Sequence, residues 1–191
     1  MNKNTAAWAR DLARKHLETP LPRRWAHTQG VARQARTLAP ILGDQADLLE
    51  AAAWLHDIGY APDLVVTGFH PLDGARYLRD THQADNHLCH LVAHHSNALV
   101  EARERGVAEL LSGGFRPVNT NLSCALTYCD MTTDPDGMLV DIDARLAEIR
   151  ARYGPAHVVT RFLLKAEPSL REAVRIVQHE ASLVARRSML D

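Results

Sequence analysis

Apolar residues along this chain recur at intervals of three and four, and stretches that alternate every second residue are almost absent. A polypeptide patterned in this way buries its apolar groups as helical stripes, so the sequence predicts an all-α domain. Glycine and proline punctuate the pattern. An amphipathic helix is expected over residues 5–18, ended by Pro20 and Pro22. A second runs from Pro22 to Ala39 with Val31, Ala35 and Leu38 as its stripe and His27 one turn before Val31. Gly43–Asp44 opens a third, with Asp47 and Glu50 spaced as a capping box and Gly59 and Pro62 at its end. Leu49, Ala53 and His56 share its inner face. Residues 61–69 read as a loop, and Pro71 begins a short helix carrying Leu72, Ala75 and Leu78. A long fifth helix is expected over 86–104, a glycine-rich loop over 112–118 and a sixth helix from about residue 119 that aligns Leu122, Leu126, Cys129 and Asp130. Helices near 141–153, 155–166 and 168–187 follow, with Gly154–Pro155 and Pro168 as breaks.

A length of 191 residues suits one domain spanning 1–191, and 46% hydrophobic with 24% charged residues is ordinary globular composition. Lys and Arg total 22 against 23 Asp and Glu, a net charge of -1 that makes no case for a nucleic-acid polymer or a membrane surface as partner. Charges at Arg10, Asp11, Arg14 and Lys15 interrupt any signal-like stretch, and no apolar run approaches the roughly 18 residues of a membrane span. Cys89, Cys124 and Cys129 are odd in number and lack metal or redox spacing, which favours a reduced, cytoplasmic setting. Histidine is the outlier. There are eleven, seven of them between His56 and His95.

His27, the doublet His56–Asp57 and Asp130 each fall on or beside an apolar stripe. An ionised carboxylate turned inward is costly unless it is paired or bound to metal. With few inward Lys or Arg to pair them, two carboxylates and two imidazoles most simply share a divalent cation. That ligand set suits iron, manganese, nickel or zinc. The 29 residues from His27 to His56 and the 73 from Asp57 to Asp130 exceed zinc-finger spacing, so such a site is assembled by tertiary packing.

The ordered set His27-Thr-Gln-Gly-Val-Ala, Leu55-His56-Asp57-Ile58-Gly59, Ala93-His94-His95-Ser96 and Tyr128-Cys129-Asp130 resembles the HD-domain superfamily of metal-dependent phosphohydrolases. The resemblance implies a bundle of about five core helices over residues 20–135. An N-terminal helix and a C-terminal helical extension over 138–191 would pack on it. It also implies one or two divalent ions per chain (Fe, Mn, Co, Ni or Zn), the first held by His27, His56, Asp57 and Asp130. A second would be bridged by Asp57 and held by His70 and His94, with His95 as the alternative. Consecutive histidines on a helix lie about 100° apart, and periodicity does not choose between them. The implied activity is hydrolysis of a phosphate ester or anhydride of a nucleotide or small phosphorylated metabolite. Asp57 would bridge the ions, and His94 or His95 would pass a proton to the leaving group.

Two other functions are compatible with the resemblance. A minority of its members hold mixed-valence di-iron and cleave C–C or C–P bonds with dioxygen, but the phosphonate-cleaving ones carry a His where this chain has Tyr60 and a Lys where it has Ala98. A non-catalytic binding module should have lost ligands, and none is missing. Elsewhere, Thr132 and Thr133 offer hydroxyls for phosphate oxygens, and Arg76, Arg79, Arg116, Arg161 and Lys165 are available cations. His16, His157 and His179 read as surface residues, His82 and His87 as solvated, Cys124 and Cys129 as core, and Arg103–Arg105 as a solvated face.

Overall fold

The computed structural model describes residues 5–117 and 120–187. They form α1 (Thr5–Leu17), α2 (Pro22–Thr37), α3 (Ala39–Leu42), α4 (Ala46–Leu55), α5 (His70–His82), α6 (Asn86–His94), α7 (Ala98–Arg105), α8 (Ala108–Gly114), α9 (Asn121–Met131), α10 (Ile142–Tyr153) and α11 (Val158–Arg187). Short 3-10 turns lie at Gly43–Gln45, Ile58–Tyr60 and His95–Asn97. Among the described residues the one extended pairing is an isolated bridge between Thr133 and Leu139. The fold is all-α.

The arrangement follows from α4. Its sequence Leu48-Leu49-Glu50-Ala51-Ala52-Ala53-Trp54-Leu55 is apolar nearly all round, and a helix of that kind has to be enclosed. α1, α2, α6 and α9 pack around it, and Ala51, Ala52 and Ala53 are fully buried. The chain leaves this central helix directly into His56 and Asp57, so the doublet lies deep in the bundle because of where α4 sits. α9 lies between this core and a second apolar cluster, formed by Met131, Leu146, Ile149, Phe162, Leu163, Ala166, Leu170 and Val174.

Two backbone contacts then set the positions around the doublet. A Cβ on Gly30 of α2 would lie 2.6 Å from the Gly137 carbonyl oxygen and 2.5 Å from Thr133 Cγ2. A Cβ on Gly59 would lie 2.1 Å from the His70 carbonyl oxygen and 2.5 Å from the Gly74 nitrogen. Glycine at these points lets the turn after Asp130 lie against α2, and lets the start of α5 lie against the turn after the doublet.

Several sequence expectations are corrected. Asp47 and Glu50 do not form a capping box: Asp47 Oδ1 accepts the Ala6 N–H at 3.4 Å, and Glu50 accepts from Arg36 and Trp54. The expected fifth helix breaks at His95–Asn97, and residues 108–114, partly expected as loop, are helical. The expected start of the sixth helix near residue 119 lies outside the described residues. α11 runs unbroken through Pro168, because the apolar stripe Leu163, Ala166, Leu170, Val174 and Val177 holds both halves to the core and outweighs the lost N–H. His16 is buried, with Nδ1 3.0 Å from Asp63 and Nε2 2.9 Å from the Tyr77 hydroxyl, joining α1 to α5.

Gly59→Ala is therefore expected to lower stability by roughly 1–3 kcal/mol, because the added methyl meets backbone that cannot turn aside. Gly113→Ala, where a Cβ meets nothing within 4 Å, should instead stabilise by about 0.5–1 kcal/mol. Urea unfolding of the two variants checks both signs.

Candidate metal centre

His27, His56, Asp57, His70, His95 and Asp130 converge at one end of α4. His27 comes from the second turn of α2, His56 from the C-terminus of α4 and Asp130 from the last turn of α9. Asp57 leaves helical geometry at φ -103°, ψ 7°, which turns its carboxylate into the bundle. His70 is the first residue of α5. The loop before it is folded back by Asp73, which accepts the N–H groups of Thr67 at 3.0 Å and Gly68 at 3.1 Å and the Thr67 hydroxyl at 2.7 Å.

Asp57 has two faces. Its Oδ2 lies 3.3 Å from His56 Nε2 and 3.8 Å from His27 Nε2, while Oδ1 lies 3.2 Å from His70 Nε2 and 3.9 Å from His95 Nε2. The donors group accordingly as His27, His56 and Asp130 on one side and Asp57, His70 and His95 on the other. Within each group every ligand atom lies within 4.8 Å of the others.

Three of the imidazoles are oriented by the backbone. His27 Nδ1 donates to the Asp134 carbonyl at 3.0 Å, His56 Nδ1 to Ala53 at 2.8 Å and His95 Nδ1 to Val92 at 2.7 Å. A carbonyl can only accept, so Nδ1 carries the proton, and the neutral ring presents the Nε2 lone pair to the cluster. For His27 that lone pair faces Asp130 Oδ1 at 3.1 Å. His56 Nε2 is fully buried with no hydrogen-bond partner. Two acceptors face to face and an orphaned buried nitrogen are what a cation would satisfy, so the residues fit a divalent metal.

The titration of His27, His70 and His95 supports the same reading. Burial lowers the proton affinity of His27, His70 and His95, and His95 is pushed down to about 4 by burial with His70 and His56 adding to it. His56 goes the other way: burial lowers it, and Asp57, Asp130 and the Ala53 carbonyl together raise it above the ordinary value. Burial works against ionised Asp57 and Asp130, yet both are held below the ordinary range, Asp57 by Arg24 and His56 and Asp130 by His27 and His56.

The sequence expectation about inward cations is corrected. Arg24 Nη1 lies 2.6 Å from Asp57 Oδ2, and Arg145, 5% exposed, has Nη2 3.8 Å from Asp130 Oδ1. The case for a metal therefore rests on the histidine lone pairs rather than on unpaired carboxylates. Arg24 lies one turn before His27, a spacing that could have revealed it. Arg145 continues the apolar line Ile142, Arg145, Ile149 of α10, where an arginine is out of place on a buried stripe.

His94 is also corrected. Its Nε2 is 2.9 Å from the Phe115 carbonyl oxygen, and it lines a separate groove with Asn97, Cys124 and Ser169. The pair is separated because α6 ends at His94, at φ -118° and ψ 12°, and His95 leaves the helix extended at ψ 149°; positive φ of 46° and 61° at Ser96 and Asn97 then turns the chain into α7. Ser96 then donates to Asp130 Oδ2 at 2.5 Å. Thr132 and Thr133 are turned to their own helix. Their buried hydroxyls donate to the Tyr128 and Cys129 carbonyls, both at 2.7 Å, closing the end of α9. Among the arginines and lysine expected to be available, Arg79 pairs with Asp80, and Arg161 and Lys165 pair with Glu104.

A family model for the HD domain matches residues 24–148, about two-thirds of the chain. This chain belongs to the HD domain family. Comparison with curated proteins and with solved structures gives no significant match. Within this HD domain the buried His and Asp groups can hold a metal ion, and the match extends into α10, the helix that brings Arg145 to the site. No helix among the described residues is long and apolar enough to cross a membrane.

The two neighbouring histidines separate by mutation. His95→Ala is expected to lower bound metal per chain while His94→Ala leaves it unchanged, as read by elemental analysis of protein with matched helix content. Equal loss in both variants would contradict the placement of His95.

Proposed function

We propose that this HD domain is a metal-dependent hydrolase of a phosphate ester or anhydride, acting on a nucleotide or small phosphorylated metabolite. The observation that carries the reading is Asp57, whose two oxygens each face a separate pair of histidines. His27, His56 and Asp130 would hold one divalent ion, and Asp57, His70 and His95 a second. Such ions would supply Lewis-acid charge for the phosphoryl group and acidify a water.

The surrounding residues fit an anionic substrate. Arg24 and Arg145 bring fixed positive charge to the wall of a cavity of about 90 Å³ beside the cluster. Guanidinium groups in such a place stabilise charge on phosphoryl oxygens. Tyr60 is in the same wall, its ring stacked on His70 at 3.9 Å between centroids and under Arg24 at 4.2 Å. Burial pushes its hydroxyl up, so it stays protonated at neutral pH. Asp57 and Asp130 stay ionised and can orient a water by accepting from it.

A second reading draws on one observation. Each group offers two histidines and a carboxylate, a donor set that also serves iron-dependent oxygenases. The adjacent arginines favour hydrolysis.

The purified protein with Mn²⁺, Fe²⁺, Co²⁺ or Ni²⁺ is expected to release phosphate or a nucleotide from a panel of nucleotides, dinucleoside polyphosphates and sugar phosphates, without oxygen uptake. The rate should fall at acid pH, because a histidine must be neutral to hold metal. Substrate-dependent oxygen consumption by the iron form, with no hydrolysis, would replace this reading with the oxygenase.

A further inference from the structure

Next to the metal cluster lies a second and larger pocket, of about 310 Å³, lined by Pro20, Leu21, Pro22, Pro135, His27 and four arginines: Arg23, Arg24, Arg145 and Arg152. No Asp or Glu contributes to that lining. Arg24, Arg145 and Arg152 also line the cavity beside the cluster, so the two spaces share a wall of guanidinium groups.

Their carboxylate partners lie outside that lining. Arg145 and Arg152 share the carboxylate of Glu148, at 2.7 Å and 2.5 Å, and Arg145 also lies 3.8 Å from Asp130. Arg24 is held by Asp57, which is itself a cluster residue, and Arg23 by Asp136. Arg145 is buried, and its Nε has no hydrogen-bond partner. The N-terminus of α2 forms another side of the pocket, and no side chain caps it. Its first N–H groups and the positive end of the helix dipole add to the same field.

Size separates the two spaces. The cavity at the cluster admits only a small reacting group, whereas the arginine pocket falls within the range of about 300–1,000 Å³ usual for small-ligand sites. We propose that the arginine pocket binds a second anionic group of the substrate. The preferred substrates would then carry two or more phosphoryl groups, one at the cluster and the next among Arg23, Arg24, Arg145 and Arg152, rather than a single phosphate on a neutral alcohol. The proposal rests on the phosphohydrolase reading for its chemistry, but its test reads binding.

The test uses methylenebisphosphonate, which cannot be hydrolysed, and methylphosphonate as its single-anion counterpart, titrated calorimetrically into the full chain as purified. The bisphosphonate is expected to bind at least tenfold more tightly. The double variant Arg23→Gln/Arg152→Gln should lose that difference while keeping its metal content and helix content. Both side chains are partly or largely exposed, so the variant is expected to fold. Arg175→Gln, on the exposed face of α11, should keep the difference. Equal binding of the two probes, persistence of the difference in the double variant, or equal loss in Arg175→Gln would each overturn the subsite. Phosphate release from the substrate panel is scored separately: hydrolysis without bisphosphonate preference refutes the subsite alone, and preference without hydrolysis refutes the reaction alone.

Discussion

An ionised carboxylate enclosed by protein is tolerated only where its surroundings stabilise the charge, and Asp57 is 3% exposed. The Arg24 guanidinium at 2.6 Å and the His70 ring at 3.2 Å meet that requirement, and the placement of the rest of the site follows from it. α4 must be central for Asp57 to be deep, and the end of α4 must leave helical geometry for the carboxylate to point inward. Gly59 must be a glycine for His70 to reach Oδ1. The backbone carbonyls of Ala53, Val92 and Asp134 must hold Nδ1 of their histidines so that Nε2 faces the centre. A site supported in this way is ordered before any ligand arrives, which suits tight and specific metal binding.

The C-terminal helices take part in the site rather than merely covering the bundle. Arg145 and Ile149 of α10 and Phe162 and Leu163 of α11 line the cavity at the cluster. The second apolar cluster that fixes these two helices includes Met131, next in sequence to Asp130. Packing in the extension and the position of a site carboxylate are thereby coupled through adjacent residues of α9. The charge that would meet an anionic substrate comes largely from Arg23 and Arg24 of α2 and Arg145 and Arg152 of α10.

Much of this was legible in the sequence. Helical spacing located α1, α2, α4, α9 and α10 to within a few residues, and the apolar run of α4 made the burial of His56 readable. His27, His56, Asp57, His70 and Asp130 do converge in space. What periodicity misjudged is physical in origin. It treats a helix as continuous, and so could not foresee that α6 would end at His94, sending His95 inward and leaving His94 on the Phe115 carbonyl. It treats proline as a break, although the stripe on either side of Pro168 keeps α11 whole. It reads hydroxyls beside an aspartate as available, whereas Thr132 and Thr133 are spent on the carbonyls of their own helix. Arg24 and Arg145 were missed because charge was sought on polar faces rather than on buried ones.

The central claim is that Asp57 stands between two metal positions. It is tested most directly by anomalous diffraction at the metal edge, from crystals of protein loaded with Mn²⁺ or Fe²⁺. The account predicts two anomalous peaks, one among His27, His56 and Asp130 and the other between His70 and His95, each in contact with one oxygen of Asp57. A single peak that leaves His70 and His95 unliganded would contradict the bridging role. Crystals with no peak at the cluster, and Arg24 still closed on Asp57, would contradict the metal centre itself.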